Sequence, residues 1–308
     1  MRIHIIGSTH QTASLDTLRG ILDLLTTDSA DEVTIDSRFF SYLMQHEIAP
    51  SGVKTYPLSG TIDTDLMVCI GGDGTFLRGA KLVAGTEAGI IGLNSGHLGF
   101  LSSMQPDILS SYWDEIRSGR AQVDERATLE AVVTDPAGKV IHQGIALNEV
   151  SVIRRDILSM IRVTTKVCGQ WMVDYQADGV LVSTPTGSSA YALSVGGPLV
   201  HPNCSSLLIV PIAPHSLTMR PILIPDSMTI DFTISSRSGT FAIALDGRGK
   251  DFPDNCRVTV RKSDRIVRVL HTSSYQYFEN LRKKLMWGAD SRSVDSDEDE
   301  TPLYPTKD

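Results

Sequence analysis

The chain has 308 residues, 41 % apolar and 21 % charged, the balance of a soluble globular protein long enough for two domains. Its net charge of −8 argues against nucleic acid as the main partner, and no run approaches the roughly 20 apolar residues of a membrane span. The opening MRIHIIGSTHQT carries no signal-peptide pattern, and Cys69, Cys168, Cys204 and Cys256 form no CxxC pair, so a cytoplasmic protein without zinc site or disulfide framework is expected.

Residues 2–6 make a short apolar run that stops at Gly7, the pattern of a strand buried on both faces. Leu15, Leu18, Ile21, Leu22 and Leu25 then recur at helical spacing. Further strands are expected at 33–35, 66–70 and 90–93, with a helix on Phe76, Leu77, Ala80 and Val83 between the last two. This alternation predicts a Rossmann-like α/β domain with a parallel sheet over residues 1–126, its site at the carboxyl ends of the strands. The texture changes at Arg126. Residues 127–270 give short β-type segments, the last at 266–270, divided by turns such as Asp135-Pro136-Ala137-Gly138, and predict a mainly β domain. A helical insert at 188–194 interrupts it. Residues 275–287 are amphipathic and predict a C-terminal helix, within 271–289, that returns to pack on the first domain. From Asp290 to Asp308, seven acidic and two basic residues with two prolines read as a disordered acidic tail.

The chemistry concentrates in Gly71-Gly72-Asp73-Gly74-Thr75, which follows an apolar strand and opens a helix. Glycines let a backbone take positive φ and approach a bulky anion, and the N–H groups of such a turn and helix start bind phosphate oxygens. Asp73 is out of place beside phosphates unless it serves as base to an attacking hydroxyl or helps hold a magnesium ion carried by them. Arg78, one turn on, offsets negative charge. Alone, the run also suits a plain tight turn. There is no GxGxxG after a strand and no Walker A loop, since neither Gly138-Lys139 nor Gly249-Lys250 is followed by Ser or Thr. Asn148-Glu149 suits the hydroxyls of a ribose, or a polar pair beside a turn. Thr184-Pro185-Thr186-Gly187-Ser188-Ser189 crowds hydroxyls at a helix start, which suits a ligand or ordinary capping.

GGDGT after a buried strand is similar to the phosphate-binding loop of NAD kinases, of diacylglycerol and sphingosine kinases and, more distantly, of 6-phosphofructokinases. Later blocks separate these groups. Asn94-Ser95-Gly96-His97-Leu98-Gly99-Phe100-Leu101, Asn148-Glu149, the run from Asp178-Gly179 through Ser183-Thr184-Pro185-Thr186-Gly187-Ser188-Ser189-Ala190-Tyr191, and Pro211-Ile212-Ala213-Pro214-His215-Ser216-Leu217 each resemble the NAD-kinase pattern, in that order. The resemblance runs from about Leu66 to Trp287. It implies transfer of the terminal phosphate of ATP, carried with Mg²⁺ or another divalent cation, to the adenosine 2′-hydroxyl of NAD, giving NADP. Asp73 is then the general base, and Gly71, Gly72, Gly74, Thr75 and Arg78 attend the phosphates. Asn148, Glu149, Asp178, Thr186, Ser189, Ala190, Tyr191, Ala192, Leu193, Ser194, Ala213 and Arg248 line the nucleotide sites. No metal cage of the protein's own and no membrane or nucleic-acid partner is expected. The resemblance also implies a homo-oligomer, dimer or tetramer, in which the Asp-Gly block of one subunit meets a ligand held by its neighbour. Departures from the pattern are Ala177 for serine, Ser189 for threonine, and Arg248 where relatives carry Gln or Asn after Asp-Gly. The rival functions are a lipid or sphingoid alcohol kinase and a non-catalytic NAD(P) sensor.

Overall fold

All five residues of Leu66–Ile70 are buried, as are all five of Gly89–Leu93 beside it, because both faces of their sheet are covered. A computed structural model describes residues 1–11, 13–57, 62–94, 99–102, 104, 108–156 and 158–287. Among these residues, seven strands form the first sheet in the order Lys54–Tyr56, Glu32–Asp36, Arg2–Gly7, Leu66–Ile70, Gly89–Leu93, Val267–His271, Gln122–Arg126. All neighbours pair in parallel except the last two. Ile3, Ile5, Val68 and Ile70 face Leu18, Leu22, Leu25, Phe39 and Trp113 on one side. The alternate residues Ile6, Met67 and Cys69 face Phe76, Ala80 and Val83 of helix Asp73–Val83 on the other. Ser14 caps helix Leu15–Thr26 by accepting the Thr17 N–H, as a serine at that position should.

The order of the first five strands reverses between Arg2–Gly7 and Leu66–Ile70. A crevice opens there, beyond the carboxyl ends of the two strands, the place where open α/β sheets bind ligands. Ser8 and Gly71 stand at its base, with the Ser8 N–H donating to the Ile70 carbonyl at 2.9 Å.

The β region is a sandwich of two antiparallel six-stranded sheets. One runs Gln170–Ala177, Ile161–Val167, Ile230–Ser235, Arg257–Lys262, Leu129–Thr134, Val140–Ala146, and the other runs Ile222–Pro225, Ser206–Ile212, Gly179–Ser183, Glu149–Arg154, Thr240–Leu245, Arg248–Pro253. Leu129, Val133, Val163, Phe232 and Val258 from the first pack against Val150, Val152, Val180, Ile209 and Phe241 from the second. Leu147, at the crossing between the sheets, packs instead with Phe76 and Ala80. It brings Asn148 and Glu149 to the layer of the glycine loop.

One strand lies elsewhere than its sequence suggests. Val267–His271, read above with the β region, pairs with Gly89–Leu93 and Gln122–Arg126 in the first sheet. Its alternation (Val267, Val269 and His271 buried) fits either sheet, so periodicity could not choose the partner. The insert is a 3₁₀ turn, Thr186–Ser189, followed by a single helical turn, Tyr191–Ser194. Helix Tyr277–Leu285 falls in a second unit of the chain, which begins at Ser274. It carries a Lys283–Glu279 ion pair at 2.7 Å and ends at Met286 with φ of 50°. The acidic tail and Ser95-Gly96-His97-Leu98 lie outside the described residues.

Candidate functional site

The glycine loop and the hairpin joining Thr240–Leu245 to Arg248–Pro253 face each other across a cleft of about 650 Å³. Gly72, Gly74, Thr75, Arg78 and Lys81 form one wall, Asp246, Gly247, Arg248 and Lys250 the other, with His142 and Ser8 between. Only Gly71 of the three loop glycines takes a positive φ, 149°, and a Cβ there would stand 2.7 Å from Thr75 Oγ1. At Gly72 and Gly74 a Cβ would meet nothing within 4 Å, so there the missing side chain leaves open space for a ligand. Gly72 starts helix Asp73–Val83 and no side chain caps it. The free N–H groups of that first turn favour an anion.

Charge in the cleft points the same way. Arg78 donates to the Gly7 carbonyl at 3.1 Å and Thr75 Oγ1 at 3.4 Å, while its Nε is buried without a partner. Burial and then the charges of Lys250 and Lys81 hold the His142 imidazole below its ordinary range, as happens where cations converge. Arg78 and Arg248 are expected from the sequence, whereas Lys81, His142 and Lys250 are not. Spacing held part of the signal, since Lys81 follows Arg78 by about one helical turn and Lys250 shares a strand face with Arg248.

Asp73 does not project freely into this cleft. Its Oδ1 accepts the N–H groups of Leu101 and Ser102 at 3.0 and 2.9 Å, and its Oδ2 that of Phe100 at 2.9 Å. The approach requires a glycine next door, because a Cβ on Gly99 would lie 2.0 Å from Oδ1. The carboxylate thus ties the glycine loop to the Gly99-Phe100-Leu101 stretch, a connection across 27 to 29 residues.

Asn148 and Glu149 are each 7 % exposed, yet Asn148 Oδ1 and Glu149 Oε2 have no hydrogen-bond partner among the described residues. Buried polar atoms seldom go unpaired, and two adjacent ones beside a cleft suit the polar groups of a ligand. Burial, then the charge of Asp246, pushes the Glu149 carboxyl up to about 7 against a Tyr191 backbone N–H that favours its charged form. Around the pair stands the hydroxyl-rich turn. Thr184 donates through its N–H to the Asn148 carbonyl at 2.9 Å. Thr186 is buried and receives Arg126 Nη1 at 3.4 Å, and Ser189 Oγ donates to the Thr186 carbonyl. Ala190, Tyr191, Ala192, Leu193 and Ser194 follow; Ala192 is buried, whereas Tyr191 and Ser194 are exposed.

Asp178 and Ala213 stand apart from this group. Gly179 pairs with Ile153 while Ser183 pairs with Glu149, so Asp178, just before that strand, lies roughly 17 Å along it from Glu149. There it pairs with Arg154 at 3.0 Å, and its N–H donates to the Ile212 carbonyl just before Ala213.

Known proteins resemble this chain in sequence and in fold. The family model of the ATP-NAD kinase N-terminal domain matches residues 54–121, and that of the C-terminal domain matches 147–272. The chain is 36 % identical over 294 residues to an NAD kinase of Bacteroides fragilis, covering 95 % of this chain and all of that one. It is 39 % identical over 261 residues to an NAD kinase of Cytophaga hutchinsonii, covering 84 % and 89 %. In fold it matches a yeast NADH kinase solved with NADH, at a TM-score of 0.86, 22 % identity and coverage of 96 % and 89 %. An Archaeoglobus fulgidus NAD kinase solved with ATP matches at 0.67, again at 22 % identity, covering 93 % and 99 %. Both domain patterns in order, and relatives this similar over nearly their whole length, place one conclusion on the glycine loop and its cleft: the chain belongs to the NAD kinase family.

Proposed function

We propose that this chain transfers the terminal phosphate of ATP to the 2′-hydroxyl of the adenosine ribose of NAD, giving NADP and ADP. The observation that carries the reading is the buried, unpartnered pair Asn148 Oδ1 and Glu149 Oε2 beside a cationic cleft built on the glycine loop. Two polar atoms that lack partners suit the hydroxyls of a ribose, and the cations suit a triphosphate. Mg²⁺ arrives as part of the ATP substrate. The N–H groups at Gly72 and Gly74 attend the phosphates, with Arg78, Lys81, Arg248 and Lys250 around them.

In the chemical step the ribose oxygen bonds to the γ-phosphorus, the bond from that phosphorus to the β-bridging oxygen breaks, and ADP leaves. Asp73 takes the proton of the hydroxyl. An ionised carboxylate offers about four acceptor positions, three of which hold Phe100, Leu101 and Ser102, so one remains for the hydroxyl. The clasp orients the base and leaves it usable. Thr186, Ser189 and residues 190–194 complete the acceptor side. Asp178 and Ala213, remote from that cluster, serve the ligand of a neighbouring copy in a homo-oligomer, a dimer or tetramer. The setting is the cytoplasm; no helix among the described residues is long and apolar enough to cross a membrane.

The test is turnover by purified protein given NAD, ATP and Mg²⁺, with the product identified by chromatography against authentic NADP. Phosphate release without NADP, or no reaction beside an active control kinase, would overturn the reading.

A further inference from the structure

Asp246 sits at the tip of the hairpin that forms one wall of the cleft, with φ of 48°, a left-handed conformation that aspartate and asparagine tolerate better than other side chains. Its carboxylate turns back into the protein. Oδ2 accepts the Leu147 N–H at 2.8 Å, and Oδ1 accepts those of Asn148 at 2.8 Å and Glu149 at 3.2 Å. The Asp246 N–H donates to the Glu149 carbonyl at 3.1 Å.

The carbonyls on the other side of that stretch are also held. Thr184 Oγ1 donates to Leu147 O at 2.6 Å, and Ser183 Oγ and the Thr184 N–H donate to Asn148 O. Residues 147 and 148 are where the chain passes from strand Val140–Ala146 in one sheet to Glu149–Arg154 in the other, so ladder partners end here. One carboxylate, two hydroxyls and the Thr184 N–H replace them. The main chain of the pair is thereby fully satisfied, while its side chains keep unpartnered atoms.

We infer that Asp246 is a positioning residue for the acceptor: by gripping three consecutive main-chain N–H groups it aims the Asn148 and Glu149 side chains at the nucleoside hydroxyls. The inference rests on the acceptor role proposed above for that pair. It separates two jobs on one hairpin, since Arg248 and Lys250 face the donor while Asp246 serves the acceptor from behind. Asp246 is also the charged side chain that acts on Glu149, with Lys81 acting in turn on Asp246.

The experiment uses the full chain and compares native protein with Asp246→Asn and Asp246→Glu in steady-state NADP formation across pH. Asparagine keeps the left-handed turn but sets an amide N–H₂ against one of the three donors. With it, the KM for NAD should rise by about ten-fold or more, the value of one charge-assisted bond. The KM for ATP should stay or fall, because a negative charge has left the cleft wall. A merely structural lesion would raise both. The acid limb of kcat/KM for NAD should also move to lower pH, staying above the ordinary carboxylate range because burial of Glu149 remains. Glutamate keeps the charge but misplaces its oxygens, so the KM for NAD should rise with that limb unmoved. If the asparagine variant does not fold, the glutamate variant decides alone, and a native KM for NAD in it overturns the inference. A native chain that makes no NADP sinks the kinase reading together with this one. Active native protein with an unaltered asparagine variant sinks only the role of Asp246.

Discussion

Replacing Asp73 by asparagine probes the chemical step and the loop clasp together, and the structure says how to separate them. On turn chemistry alone the change is mild, because asparagine suits the same backbone geometry. The three N–H bonds to the carboxylate alter that forecast. The amide oxygen can keep Leu101 and Ser102, now without a negative charge, but the N–H₂ group then opposes the Phe100 N–H. Losing one bond to a charged acceptor costs about 1.5–3 kcal/mol. At roughly 2–4 °C per kcal/mol for a chain of this order, the melting temperature should fall by about 3–12 °C. Loss of the proposed base should separately lower kcat by about 10²–10⁴. Calorimetry gives the first quantity, and NADP formation at 25 °C with both substrates saturating gives the second, on protein shown to be folded. Near-native kcat alongside the thermal loss would mean that Asp73 only ties the loop. A full loss of kcat with an unchanged melting temperature would refute the clasp.

Gly99→Ala should mimic that lesion from the other side, since its Cβ would stand 2.0 Å from Asp73 Oδ1 and must expel the carboxylate; near-native kcat would contradict this. Glu149→Gln tests the buried carboxyl by linkage. The folded-state value of about 7 lies above the ordinary 4.5, so Glu149 contributes stability that is full below about 4.5 and lost as pH rises through 7. The loss is on the order of 3 kcal/mol. The melting temperature of the glutamine variant, relative to native, should therefore climb between pH 5 and pH 8, and a constant offset would refute the assignment. Lys250→Ala, which removes an exposed cation of the cleft, should raise the KM for ATP by about five-fold with the KM for NAD little changed, and salt should shrink the difference. Equal effects on both substrates would argue against a donor wall.

The elements that carry the loop were legible because they depend on local rules. Five apolar residues, three glycines and a helical stripe at Phe76, Ala80 and Val83 need no distant partner to be recognised. What the sequence could not supply is convergence. Lys81 lies on a helix, His142 on a sandwich strand and Lys250 on a hairpin more than a hundred residues further on, and only the packing of layers brings them to one cleft. The sheet joined by Val267–His271 was invisible for the same reason. Sequence could not tell the three loop glycines apart: Gly71 takes a positive φ, whereas a Cβ on Gly72 or Gly74 would meet nothing within 4 Å. Asp178 directly precedes Gly179, and only the strand register shows that it lies at the opposite end of that strand from the Asn148-Glu149 pair.

Asp73 was an anomaly on sequence grounds, a carboxylate in a phosphate loop, and the structure supplies a second instance in Asp246. Both stand where donor phosphates would gather, and both meet the difficulty in one way, by accepting the N–H groups of three consecutive residues: 100–102 for Asp73 and 147–149 for Asp246. Three aligned amide dipoles offset much of a carboxylate's charge where a paired lysine would compete for the phosphates instead. The cleft cations Lys81, Arg248 and Lys250 are thereby left for a ligand. The same bonds tether two segments that the chain must place accurately, the one after strand Gly89–Leu93 and the one between the sandwich sheets. A single residue type thus does two things at each position: it fixes main chain that local ladders cannot reach, and its charge is met chiefly by main-chain N–H groups in a cleft suited to a polyanion.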